Sequence, residues 1–164
     1  MPKIKRSEIQ TFMNVNPSGT EGEYALLGDG VVSGAIAYNP QVEDETYIHE
    51  DSATTIVESY APKFPVEATA IKGDPIFAYV DGLRKRRSVM GEAETDIINV
   101  WIYEEGGPTA YPAEQQRVAI QIDEFGGDGG KSAKLNYTIN YVGNAVLGTF
   151  DATNKVFTPG DVAP

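Results

Sequence analysis

Leu135, Tyr137, Ile139 and Tyr141 alternate with Asn136, Thr138 and Asn140, and Val118, Ile120 and Ile122 alternate in the same way with Arg117, Gln121 and Asp123. A two-residue period forces extended backbone, because only a strand sends successive side chains to opposite faces. Each strand therefore has an apolar face to bury and a polar face to leave wet. Ile97-Ile98-Asn99-Val100-Trp101-Ile102-Tyr103 is apolar on both faces, which predicts a central strand, covered by a helix or a neighbouring subunit, with Trp101 in the core.

The remaining strands are shorter. Residues 24–27 and 31–32 flank the turn sequence Gly28-Asp29-Gly30, predicting a hairpin, and residues 146–150 and 155–157 predict another, joined through Asp151-Ala152-Thr153-Asn154. One helix is expected after Gly73-Asp74-Pro75. Asp74 suits the cap and Pro75 the first helical position, while Ile76, Phe77, Val80 and Leu83 share a face. Its last turn carries Arg84, Lys85, Arg86 and Arg87, where cations meet the negative end of the helix dipole. About eight strands and one helix make a mainly β fold, a β-sandwich or partly open barrel with one flanking α-helix, a long projecting β-hairpin and extended N- and C-terminal arms.

The projecting hairpin is placed at residues 39–55, between strand-like runs at 34–38 and 64–70. It carries Glu43, Asp44, Glu45, Glu50 and Asp51, yet keeps Tyr47 and Ile48. Open strand edges and bare apolar side chains invite pairing with another chain, so this stretch reads as an assembly arm. Residues 1–23 hold Asn14, Asn16, Pro17, Ser18, Gly19 and Gly22 without a sustained period, and read as a flexible N-terminal arm; residues 158–164 read as a C-terminal tail. The 164 residues suit one domain, 1–164. A chain of this size buries roughly 70% of its unfolded surface without help from a cofactor, and none is expected.

The formal charge of −11 argues against sequence-independent adhesion to nucleic acid, which depends on cations displacing counterions from phosphates. Cysteine is absent, which excludes disulfides, thiolate metal sites and cysteine nucleophiles. No secretory signal and no apolar run long enough for a membrane span is visible. The expectation is a chain that stays in the cytoplasm where it is made or leaves as part of a larger particle.

Catalytic signatures fail on inspection. Gly126-Gly127-Asp128-Gly129-Gly130-Lys131-Ser132 imitates a phosphate loop, but that motif needs a glycine where Phe125 stands, and a strand follows instead of a helix. Asp123, Glu124 and Asp128 match no calcium-loop spacing. His49 is the only histidine, so neither a zinc site nor a catalytic triad can be assembled. Glu43 with Glu45 reads as solvated acid rather than a glycosidase pair. Asn136-Tyr137-Thr138 fits the glycosylation sequon by letters alone. No catalytic, cofactor or metal residue is assigned, and the chain is read as a non-enzyme.

Several stretches resemble the major tail proteins, or tail tube proteins, of long-tailed bacteriophages, in particular those with non-contractile tails. They are Ile36-Ala37-Tyr38-Asn39-Pro40-Gln41 with Glu45-Thr46-Tyr47-Ile48, Ser52-Ala53-Thr54-Thr55 with Val57-Glu58-Ser59-Tyr60, Gly73-Asp74-Pro75, Tyr111-Pro112-Ala113-Glu114-Gln115-Gln116, and Gly148-Thr149-Phe150-Asp151. The resemblance covers residues 24–157. It implies a helix-flanked β-sandwich whose copies close into hexameric rings around an inner β-barrel, with the hairpin and terminal arms linking ring to ring. It also implies a virion location after assembly in the host cytoplasm, and contacts with tape measure, tail terminator and distal tail proteins. DNA would be present only in transit, without membrane insertion.

On that plan Glu43, Asp44, Glu45, Tyr47, Ile48, Glu50, Asp51, Arg84, Lys85, Arg86 and Arg87 are candidate subunit or ring contacts. Arg117, Gln121, Asp123, Asn136, Thr138 and Asn140 are candidates for lining the lumen, where like charge lets DNA slide without adhering. The rival reading is a carbohydrate-binding β-sandwich using exposed rings among Tyr24, Tyr38, Tyr47, Tyr60, Tyr103 and Tyr111.

Overall fold

A computed structural model of the chain describes residues 1–104 and 106–160. In chain order it contains β1 (Ile9–Asn14), β2 (Tyr24–Leu26), β3 (Pro40–Glu45), β4 (Thr54–Tyr60), β5 (Lys63–Thr69), the helix α1 (Pro75–Arg86), β6 (Glu94–Trp101), β7 (Tyr111–Gly126), β8 (Lys134–Asp151) and β9 (Val156–Pro159). Seven strands form one antiparallel sheet in the order β2-β1-β6-β7-β8-β5, with β9 also on β8. The sheet curls into an open half-barrel, the mainly β, one-helix fold expected.

Period-2 patterning does what it must in β7 and β8. Val118, Ile120, Leu135, Tyr137 and Ile139 bury one face beneath Ile76, Val80 and Leu83 of α1, together with Phe64 and Val66 of β5, Ile97 of β6 and Met13 of β1. Pro75 opens α1, Asp74 precedes it with extended backbone (φ −73°, ψ 120°), and Arg87 closes it in the left-handed region (φ 47°). Asp81 anchors the last turn, accepting from Arg84 at 2.7 Å and Lys85 at 3.1 Å. Burial pushes its carboxyl up, but these two cations outweigh it and hold the group below the ordinary carboxylate range.

Strand β6 is central, as its composition requires, and its own chain covers both faces. Ile97 faces the helix-side core, while Ile98 and Val100 enter a second core with Phe12, Ala113 and Phe150. No neighbouring subunit is needed to bury it. Trp101 ends the strand half-buried instead of filling the core.

Four local expectations are corrected. The stretch 9–14, assigned to the flexible arm, is β1, and Thr11, Phe12, Met13 and Asn14 are buried there. Its polar residues hid the pattern. They are paired inside the fold, Thr11 Oγ1 donating to Asn99 Oδ1 at 2.8 Å and Asn14 Nδ2 to Asp96 Oδ1 at 3.0 Å. Residues 31–32 form no strand, because β2 pairs with β1 and the Val31 amide closes a turn on the Gly28 carbonyl at 3.0 Å. Residues 34–38 form no strand either. Their one β-bridge is Ala37 to Lys63.

The fourth correction concerns residues 146–150, which continue β8 instead of starting a new strand. A register irregularity at Gln116 and a left-handed Gly143 (φ 70°) break the period between the two halves. Gln116 Nε2 fills the kink, donating to the Val142 carbonyl at 2.7 Å. β9 packs so closely on β8 that a Cβ at Gly148 would strike the Thr158 carbonyl. Thr158 and Pro159 of the expected tail lie in β9, and residues 161–164 fall outside the described residues.

Candidate functional site

The face of the sheet opposite α1 brings the expected polar residues together. In register, Gln121 lies beside Thr138, and the row Glu94, Ala119, Asn140, Lys63 runs across β6, β7, β8 and β5. The side chains are tied into a ladder: Asn140 Nδ2 donates to Gln121 Oε1 at 3.3 Å, Gln121 Nε2 to Asp123 Oδ1 at 2.6 Å, and Thr138 Oγ1 to Asp123 Oδ2 at 2.7 Å. Arg117 stands apart from this ladder, paired with Glu94 of β6, Nη2 to Oε2 at 3.0 Å. Asn136 shares the face opposite Glu67 but stands outside the ladder, its Oδ1 buried without a partner.

Sequence reasoning missed Lys63, Glu67 and Glu94 on this face. Only the pairing of β5 and β6 with their neighbours places them there, and that pairing leaves no local mark in the chain. The face carries five carboxylates, Glu67, Glu94, Asp96, Asp123 and Glu124, against three cations, Lys63, Arg117 and Lys134. Hydroxyls and amides that already satisfy one another offer little to a passing phosphate.

The hairpin β3–β4 is a separate two-stranded sheet, and every residue of its strands except Glu45 is exposed. Glu43, Asp44 and Glu45 lie on β3, where Thr55 Oγ1 donates to Asp44 at 2.6 Å and Tyr47 Oη to Glu45 at 3.2 Å. At the tip Tyr47 stacks on His49, while Ile48 and Asp51 are exposed and Glu50 lies 3.5 Å from His49. Glu58 sits against Glu43 on the paired strand, and the hydrogen bond between the two carboxyls raises the Glu58 pKa. The root is pinned by Asn39 Nδ2 donating to the Ala61 carbonyl at 3.0 Å and by the edge-to-face rings of Tyr38 and Tyr60.

The basic tract divides. Arg84 and Lys85 are engaged by Asp81, and Arg84 also lies over the Phe125 ring at 4.2 Å. Arg86 and Arg87 are exposed and form no ion pair among the described residues.

Of the candidate tyrosines, Tyr38 and Tyr60 share one groove with Tyr141, and Tyr24, Tyr47 and Tyr111 lie elsewhere. Tyr24 and Tyr111 pack against the second core, Tyr38 and Tyr60 flank the hairpin root, and Tyr47 is at its tip. The Tyr24 hydroxyl is committed to Asp96, and burial first, then that carboxylate, pushes its pKa up. Among the described residues no group of three or more acidic, histidine or cysteine side chains is arranged to hold a metal ion, and no helix is long and apolar enough to cross a membrane.

No protein-family model matches the chain, and no curated protein matches it. Solved structures do. A chain from the tail of an empty GTA particle, determined with C6 symmetry, superposes with a TM-score of 0.63 at 12% identity, covering 87% of this chain and 97% of that one. A chain from the baseplate of an anti-feeding prophage aligns with a TM-score of 0.48 at 8% identity, over 90% of this chain and 95% of that one. The first likeness establishes a shared fold.

Proposed function

We propose that this chain is a structural subunit of a phage-like tail, polymerising as stacked six-fold rings into a tube whose lumen conducts DNA. The observation that carries the reading is the hydrogen-bonded polar face on β5, β6, β7 and β8. It lies on a fold shared nearly end to end with a subunit of a six-fold symmetric tail. Repeated around a ring, that face lines the channel with self-satisfied amides, hydroxyls and a small excess of carboxylates. DNA phosphates meet few free donors there and mild like-charge repulsion, so they slide.

In this reading α1 faces outward, and Arg86 and Arg87 are free to meet acid on a neighbour. The hairpin β3–β4 reaches an adjacent subunit or ring, which accounts for a two-stranded element standing clear of its own core with Val42, Ile48 and Val57 exposed. The tube belongs to a tail of the non-contractile type and meets the other tail proteins at its ends.

Deletion of residues 43–52 tests the assembly role. The shortened chain is expected to keep its far-ultraviolet circular dichroism and remain monomeric in sedimentation velocity at concentrations where the parent forms rings or tubes. Normal tubes from the deletion would reject the role given to the hairpin.

A further inference from the structure

The hairpin β3–β4 leaves the body beside a groove of about 880 Å³. Tyr38, Glu58 and Tyr60, at the root of the hairpin, form one wall. Glu114 of β7 and Tyr141 of β8 stand on the other, with residues 143–145. Tyr141 lies on the same face of β8 as Tyr137 and Ile139, so the groove opens on the α1 side of the sheet, away from the polar ladder.

The body wall is held from beneath. Asn99, 1% exposed, donates both amide hydrogens there, to Glu114 Oε1 at 3.0 Å and to the Tyr141 hydroxyl at 2.9 Å. One buried side chain thus orients a carboxylate and a ring of the groove before any ligand arrives. On the hairpin wall the rings of Tyr38 and Tyr60 meet edge to face with centroids 6.5 Å apart, each more than half exposed. Glu58 is hydrogen-bonded to Glu43, so two carboxyls crowd that wall without a counter-charge. No Lys or Arg lines the groove, and neither Glu58 nor Glu114 has an ion pair among the described residues.

Carboxylates on facing walls, tyrosine rings lining the space and no competing cation match a ligand that is cationic at both ends and apolar along its length. Ammonium groups are drawn to carboxylates and to the faces of tyrosine rings, and methylenes cover the remaining ring surface. A neutral sugar would also meet the rings, but it would leave the carboxylates on both walls without a counter-charge. We propose that the groove binds a linear aliphatic polyamine, one ammonium at Glu114 and another at Glu58, with its carbon chain along Tyr38, Tyr60 and Tyr141. Because one wall belongs to the hairpin root and the other to the sheet, the bound polyamine ties the hairpin to the body. The site is complete within a single chain and stands independently of the tube reading.

The test titrates spermidine into the full chain by isothermal calorimetry at physiological salt. A formal charge of −11 attracts any polycation diffusely, so the site is separated from that background by charge-matched variants. Glu58→Gln and Glu114→Gln preserve side-chain shape, and the second retains an oxygen for Asn99. Glu92→Gln removes one charge at an exposed position outside the groove. All three are checked against the parent by circular dichroism. The parent is expected to show one saturable site per chain, weakened about fivefold in each groove variant, the worth of a partly exposed charge pair, and unchanged in Glu92→Gln. Tyr60→Ala should weaken it at constant charge. Bound spermidine should also slow amide exchange at 58–60 and 143–145 together. Binding that fails to saturate, or that falls equally in Glu92→Gln, would overturn the site in favour of diffuse charge. Saturable binding of maltotetraose in place of spermidine would overturn it in favour of a sugar groove. Slowed exchange on one wall alone would overturn the bridge between hairpin and body.

Discussion

Thr138 of β8 donates its hydroxyl to Asp123 of β7 at 2.7 Å, beside the register irregularity between Ile122 and Glu124. That pair anchors the polar ladder. Replacing Gln121 and Asp123 by arginine removes the only carboxylate in the ladder and adds unsatisfied donors to the proposed lumen. Assembled particles of the double variant are expected to retain labelled duplex DNA at low salt and release it steeply as salt rises, while parent particles retain none. Equal behaviour of the two would contradict the role assigned to this face.

Asn99 is the one polar residue in the apolar run Ile97–Trp101 of β6, and it spends both ends of its amide. Oδ1 accepts from Thr11 at 2.8 Å, while Nδ2 donates to Glu114 at 3.0 Å and to the Tyr141 hydroxyl at 2.9 Å. This one side chain joins β1, β6, β7 and β8. Asn99→Ala is expected to cost about 1–3 kcal/mol in urea denaturation, the range for leaving buried partners unpaired. An unchanged midpoint would show that water replaces the amide.

Tyr137 presents the opposite case, because its hydroxyl is buried without a hydrogen-bond partner, and burial pushes its pKa up. Tyr137→Phe removes the orphan and keeps the ring. The variant is expected to match the parent or exceed it by about 1 kcal/mol. A clear loss of stability would mean that the hydroxyl has a partner.

The hairpin has a built-in pH response. The hydrogen bond to Glu43 holds the Glu58 carboxyl above its ordinary pKa in the folded hairpin. The folded form therefore binds this proton more readily than the unfolded one. The stabilisation is present below the ordinary carboxylate pKa and is lost as pH rises through the raised value. Hydrogen exchange in β3 and β4, corrected for the intrinsic pH dependence, is expected to show more protection in mild acid than at neutral pH. Glu58→Gln should flatten that difference, and an undiminished difference in the variant would assign it to other groups.

How much of this was legible depended on whether side-chain pattern or strand pairing held the information. Alternation exposed β7, β8 and the ladder residues Gln121, Asp123, Thr138 and Asn140 directly, and Asp74-Pro75 with the Ile76, Val80, Leu83 face located α1. The pattern failed where buried polar groups are satisfied by distant partners. Thr11 and Asn14 made β1 look like a loose arm because Asn99 and Asp96, which pair with them, lie more than eighty residues away. It failed again at Gln116 and Gly143, where a kink interrupts the period and one long strand reads as two. Lys63, Glu67 and Glu94 joined the candidate face only through register, which no local sequence encodes.

The central claim is that the β7–β8 polar face lines a channel made by many copies of this chain. Electron microscopy of the purified protein at increasing concentration, carried to a three-dimensional reconstruction, tests it most directly. The account predicts hollow six-fold rings or tubes with Gln121, Asp123, Thr138 and Asn140 facing the lumen and α1 outside. Single compact particles at every concentration, or rings with those four side chains on the outer surface, would contradict it.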